Sequence, residues 1–364
     1  MAENQFAGYA ARIGLVSMLL AACGGANNQP QSSPAMETPM LCTPGDVQDC
    51  GCVYGQATCS DDGSEWECNC AYPTAQDLTT VWDDSQVYVD ASRAYISRGS
   101  SLDIESWTGA PKSGVSNLPA TTADIQALTG NDQSLFFSYA AYGDATFRAA
   151  KDTLKAAALS LGDVVPDGGP EAMGASADTL FLAYLDADGT ADTIYSCPAA
   201  KDCTAIAEKQ PQPSELSWYG DSLFWNIYLS GDQFSVIALD LADSTSKPIT
   251  LTNNGSLVQI ADDGVYFANC TDSGKCELDR TTSATASAEV VLDHVPSLFK
   301  RVGDQSYFLK GADIVRQGPD DASPKVFYRG DTVHQLLTNG IDLFAVKDVP
   351  GRIFPDLFWL GDAR

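Results

Sequence analysis

Positive charge is scarce in this chain. Lys and Arg total 21 against 48 Asp and Glu, so the 364 residues carry a net charge of −27. A surface that acidic repels phosphate backbones and anionic lipid headgroups, which argues against nucleic acid as a partner. Histidine is scarcer still, with His294 and His334 alone. No apolar run approaches the ~20 residues that carry a helix across a bilayer. The phosphate-binding glycine loop, the dinucleotide fingerprint and the zinc-protease helix are missing. What is present suffices for folding. Hydrophobic residues at 44% and aromatics at 9% support a packed core and exclude global disorder.

The first residues read as an address. After Arg12 a short apolar run, Ile13 to Ala22, suits the centre of a signal peptide. It ends in Leu20, Ala21, Ala22 and Cys23, followed by Gly24 and Gly25. This pattern resembles the lipobox of bacterial lipoproteins. The resemblance implies cleavage before Cys23, lipid on its thiol and new amino group, and a membrane contact made through that anchor. Gly24, rather than Asp, after the cysteine is similar to proteins sorted to the outer membrane, so the expected location is the cell envelope at that membrane. Residues 1–22 are then the signal peptide. Residues 23–41 are rich in Asn, Gln, Pro and Ser. That composition cannot offset its chain entropy by burial, and it reads as a flexible tether.

Of eleven cysteines, Cys23 is assigned to lipid, which leaves an even number. Cys42, Cys50, Cys52, Cys59, Cys68 and Cys70 crowd into residues 42–70. So small a segment cannot build a core and needs staples, which in an oxidising compartment are disulfides. Their pairing stays open. Cys-x-Cys pairs also occur in zinc sites, but the usual spacing there is Cys-x2-Cys. The remaining four read as two hairpin-closing pairs, Cys197 with Cys203 and Cys270 with Cys276. The run Cys42, Pro44, Gly45, Cys50, Cys52, Cys59, Asp62, Gly63, Trp66, Cys68, Cys70 resembles the Cys-rich module of β-propeller lipoproteins from myxobacteria and their relatives. So does the run Ile194 to Pro198 with Cys203.

From about residue 78 to 364 one motif returns: an apolar stretch, a turn of Asp, Asn or Gly, then large apolar residues. The copies are Thr80–Val89, Ala127–Phe137, Met173–Leu182, Leu216–Trp225, Val258–Phe267, Phe299–Phe308 and Leu336–Phe344. Their aromatic anchors are Tyr88, Phe136, Phe181, Phe224, Tyr266, Phe308 and Phe344. Each copy has the composition of a β-hairpin. A repeat near 40 residues with several short strands per unit predicts an all-β, seven-bladed β-propeller, with six or eight blades as alternatives. An Ala-rich piece, Ala149 to Leu161, fits an outer strand or a short helix. Glu289 to Leu292 fits an outer strand, and Ile353 to Trp359 is apolar enough to finish the last blade.

No set of residues stands out as catalytic. Gly220, Asp221, Ser222 and Leu223 spell the nucleophile block of the GDSL esterases, and Asp331 with His334 their Asp-x-x-His block. The same turn recurs at Asp178 and Asp263, however, so the repeat already accounts for it. His334 lies on an expected innermost strand and is a candidate channel residue. Asp186, Asp188 and Asp192 (DADGTAD) resemble the latter part of calcium loops in integrin-type propellers, which makes Ca2+ the one cofactor to consider; otherwise none is expected. The sequence therefore predicts a lipid-anchored envelope protein whose propeller binds a protein or glycan without catalysis. A propeller glycosidase or lyase acting on envelope or extracellular polymer is the alternative.

Overall fold

The computed structural model describes residues 43–362 apart from residues 44–45, 50–52, 61–65, 74, 83–84, 108–112, 122, 140–145, 162–168, 187–191, 201, 231–232, 272 and 331. The expected signal peptide, the expected lipidation site Cys23, the expected tether, and Cys42, Cys50 and Cys52 lie outside the described residues. The first element is a small antiparallel sheet of β1 (Val47–Asp49), β2 (Tyr54–Cys59) and β3 (Trp66–Ala71). Cys59 and Cys70 in it are disulfide-bonded. This sheet rests on the propeller: the Val53 amide donates to the Val326 carbonyl at 2.9 Å, and the Arg329 guanidinium lies over the Tyr72 ring.

Beyond it the described residues form seven four-stranded antiparallel sheets, the blades of a β-propeller. Strand β4 (Gln76–Thr80) comes first in sequence but belongs to the last blade. Blade 1 holds β5 (Val87–Val89), β6 (Ala94–Arg98), β7 (Ser101–Glu105) and β8 (Ser113–Gly114). Blade 2 holds β9 (Ile125–Gly130), β10 (Ser134–Tyr139), β11 (Thr146–Ala150) and β12 (Lys155–Ala158). Blade 3 holds β13 (Ala172–Ala175), β14 (Thr179–Leu185), β15 (Asp192–Pro198) and β16 (Thr204–Gln210). Blade 4 holds β17 (Pro213–Tyr219), β18 (Ser222–Ser230), β19 (Gln233–Asp240) and β20 (Ile249–Thr252). Blade 5 holds β21 (Leu257–Ala261), β22 (Gly264–Cys270), β23 (Cys276–Thr281) and β24 (Glu289–Leu292). Blade 6 holds β25 (Lys300–Val302), β26 (Gln305–Lys310), β27 (Asp313–Gln317) and β28 (Lys325–Tyr328). Blade 7 holds β29 (Val333–Thr338), β30 (Asp342–Lys347), β31 (Asp356–Asp362) and, paired to β31, β4. The Ala-rich piece is thus the outer hairpin β11–β12, and the run ending at Trp359 enters the third strand of blade 7, not its outermost one.

The core is a set of slabs, one in each gap between neighbouring blades. The second strand of a blade is covered on both faces, so it reads as a continuous apolar run; all of β10 and β30 is buried. The fourth strand lies at the rim and is mostly exposed, as in β12 and β24. One aromatic per second strand points into the gap ahead: Tyr95, Phe136, Phe181, Phe224, Tyr266, Tyr307 and Phe344, all buried.

Two of the anchors expected from the sequence are corrected by this ring. Tyr88 sits on β5, a first strand, and Tyr95 takes its place. The first-copy turn was expected at Asp83 and Asp84, but the hairpin turns at Asp90–Arg93. There the Asp90 carboxylate accepts from the amides of Ser92 and Arg93 at 3.0 Å each. Phe308 packs backward against Phe299 and Tyr266, while Tyr307 faces blade 7.

First strands of successive blades lie side by side around the centre. They pack so closely at β13 and β17 that a Cβ on Gly174 would stand 2.3 Å from the Leu216 carbonyl oxygen. We therefore expect Gly174→Ala to destabilise by about 1–3 kcal/mol, the usual cost of overpacking, as a lowered chemical-denaturation midpoint at unchanged slope. An unaltered midpoint would show that this contact is not tight.

Candidate functional site

Each first strand ends in a short turn to the second, and these turns share one face of the ring. On that face the turns of blades 4 to 7 surround an open cavity of about 480 Å3, lined by Trp218, Gly220, Ile260, Arg301, Gly303 and Gly340, among others. The polar side chains here are largely engaged. Arg301 donates through Nη1 to the Asp304 carbonyl at 2.7 Å and the Ser306 hydroxyl at 3.2 Å, and through Nε to Asp263 at 3.3 Å. Gln259 bridges blades 5 and 6 through the backbone carbonyl and amide of Arg301. Asn339 donates to the Asp90 carbonyl at 2.8 Å, joining blade 7 to blade 1. Trp218 differs from these. It is a large aromatic left 38% exposed at the end of an innermost strand.

Trp218 is also the ridge between this mouth and a second groove of about 570 Å3 between blades 3 and 4. That groove has apolar walls from Phe181, Ile206 and Leu239, and carboxylates from Asp178, Asp221, Asp240 and Asp243. The Thr245 hydroxyl and amide, donating to Asp243 at 2.7 and 2.9 Å, hold its carboxyl below the usual range.

Charge is also placed inside the ring, near the opposite end of β17. Glu215 adopts φ 54°, a left-handed conformation uncommon for a residue with a side chain, where β17 slips register between Ser214 and Ser217. Its carboxylate accepts from Asn226 Nδ2 at 2.6 Å, and Asn226 Oδ1 in turn accepts the Leu257 amide at 2.8 Å. Surrounding protein raises the Glu215 carboxyl pKa, although part of the side chain remains open to solvent. Burial lowers the Lys300 amine, and mutual attraction across the ring partly offsets both shifts.

The residues singled out from the sequence fare differently. Cys197–Cys203 and Cys270–Cys276 form disulfides, one before β16 and one between β22 and β23. Cys68 lies exposed on β3. His334 is on an innermost strand, as expected, but its Nε2 is turned to Asp348 at 2.7 Å. Ser222 is buried and its hydroxyl accepts the Ala284 amide at 3.0 Å, so it braces blade 4 against the turn between β23 and β24 of blade 5. Asp188 lies outside the described residues. Asp186 accepts from the Thr193 hydroxyl at 2.7 Å. Asp192 is buried, and burial with Glu171 and Asp186 nearby raises its carboxyl to about 6. Among the described residues no group of three or more His, Cys, Asp or Glu side chains is placed to hold a metal ion.

Trp218, Glu215 and Lys300 were not singled out from the sequence. The repeat does not mark Trp218: the equivalent positions of the other blades hold Val89, Gly130, Ala175, Ile260, Arg301 and Thr338, so side-chain size varies freely there.

No protein-family model matches the chain, and no curated protein matches it. Solved structures do. YCF48 bound to a D1 peptide superposes with TM-score 0.53 at 11% identity, over 80% of this chain and 96% of that one. The β-propeller domain of the Trilobed protease from Pyrococcus furiosus gives 0.52 at 10% identity, over 79% and 95%. A puromycin hydrolase gives 0.51 at 12% identity, over 78% of this chain and 52% of the hydrolase. At these identities the likeness establishes the β-propeller fold and nothing finer.

Proposed function

We propose that this is a lipid-anchored protein of the cell envelope that presents its propeller for non-catalytic binding of a protein or glycan. The observation that carries the binding role is the turn-side mouth. Four consecutive blades frame an open cavity whose polar walls are largely committed to the scaffold, while the face of Trp218 is left uncovered. Large aromatics held rigidly at a cavity rim lose little entropy on contact and anchor interfaces. The anchoring role draws on Leu20 to Cys23 and the apolar run before it. The disulfides fit an oxidising compartment.

The enzyme alternative has one observation in its favour, the strained Glu215 beside Asn226 with Lys300 across the ring. Sugar hydrolysis would call for a second carboxylate about 5–9.5 Å away.

Photo-cross-linking in the native host tests the binding role. A benzophenone side chain at position 218 is expected to give a discrete adduct with one partner. The same group at Val290, exposed on the outer strand β24, should give none. No adduct at 218, or the same adducts from both positions, would contradict the proposal.

A further inference from the structure

We infer that the groove between blades 3 and 4 receives an arginine-bearing segment of a partner protein; this deepens the binding reading above and rests on it. The groove combines partly apolar walls with one sign of charge. Asp178, Asp221, Asp240 and Asp243 line it, and among the described residues neither Lys nor Arg does. Three of these carboxylates are oriented by donors from their own turns. Asp178 Oδ1 accepts the Thr179 hydroxyl at 3.1 Å, Asp240 Oδ1 the Ala242 amide at 2.9 Å, and Asp243 Oδ1 the Thr245 amide and hydroxyl. In each the other oxygen accepts no bond among the described residues, so fixed acceptors are left over.

Trp218 stands at the edge of the same groove with its indole exposed. A guanidinium satisfies both features at once. It stacks on an aromatic face and donates paired N–H groups to carboxylates. An ammonium meets the carboxylates only as a point charge, and a neutral sugar leaves the charge unanswered. The apolar walls fit the methylene stem and neighbouring residues of a peptide.

The test uses the mature full-length chain and a fluorescein-labelled decapeptide alternating arginine and glycine, at moderate salt. Three variants are compared: Trp218→Ala; the triple Asp221→Asn, Asp240→Asn, Asp243→Asn; and a charge-matched triple on exposed residues elsewhere, Asp124→Asn, Asp293→Asn, Asp320→Asn. Matching near-ultraviolet circular dichroism establishes that each is folded. The Trp218→Ala and groove variants should each bind about tenfold more weakly, the control within about twofold of the parent, and a lysine version of the peptide more weakly than the arginine one. Equal weakening in the control would show general attraction to an acidic surface and overturn the inference. So would a Trp218→Ala variant that binds like the parent. If a partner cross-links at position 218 while the peptide ignores Trp218, this inference falls and the binding role stands. If no partner cross-links, the binding role itself falls.

Discussion

Removing the chain through Thr80 should leave a propeller that aggregates or melts far below the intact protein, whereas a chain starting at Gln76 should fold normally. Strand β4 is the outermost strand of the last blade, paired to β31 at Thr80 with Asp356, Thr79 with Leu357, Asp77 with Phe358 and Gln76 with Trp359. Its loss uncovers the edge of β31, a template for pairing with other chains. It also removes Leu78, only 7% exposed, from the slab between blades 7 and 1 where it meets Val89, Ile96, Phe344 and Leu357. Leu78→Ala alone should cost about 2–5 kcal/mol, a large part of a typical 5–15 kcal/mol total. Val290→Ala, on an exposed rim strand with Val290 at 58% exposure, should cost under about 0.5 kcal/mol. Denaturant melts of the two, side by side, check this. Equal costs would mean that the ring does not depend on this closure.

The second large effect is a gain. Asp192→Asn should stabilise the protein at neutral pH by up to about 3 kcal/mol and change little at pH 4. Asp192 is 1% exposed, and its Oδ1 has no hydrogen-bond partner among the described residues. Burial, with Glu171 and Asp186 nearby, raises its carboxyl from 3.8 to about 6. A raised acid favours the folded state only while protonated. Below about pH 4 it is protonated in both states and costs nothing. Between about pH 4 and 6 the unfolded chain ionises first, and stability falls; above 6 the full cost is present. The difference in stability between variant and parent, followed from pH 4 to 7.5, should therefore grow with pH. A flat difference, or a variant weaker at neutral pH, would mean that an unseen partner satisfies the carboxylate.

What could be read from the sequence follows burial. The second strands are covered on both faces, so their composition is restricted to aromatic and branched residues, and six of the seven repeat copies show through. Rim strands are solvated on most sides and carry little pattern, which is why β12 reads equally as strand or helix. The first copy misleads for a physical reason. Val81 and Trp82, two Asp residues and Val87 to Val89 imitate a hairpin. Yet Val81 is buried just after the closing strand, Trp82 is exposed, and the true turn is capped by Asp90. No local feature of Gln76 to Thr80 shows that its partner lies at the far end of the chain.

The short-range disulfides were legible because a β-hairpin end brings such pairs together. At the candidate site, the turn residues that frame the mouth belong to the repeat and were visible as turns. The open face of Trp218, the strained Glu215 and the half-buried Lys300 arise only when strands from different blades are placed around one centre.

The proposed envelope location of the propeller rests on an anchor at Cys23. The most direct test is the intact mass of the full-length protein, expressed in a bacterial host with lipoprotein processing and extracted from its membranes. A chain beginning at Cys23, heavier by a diacylglyceryl group with or without a third acyl chain, is the predicted result. A chain that retains residues 1–22, or that is cut elsewhere and carries no lipid, would contradict it.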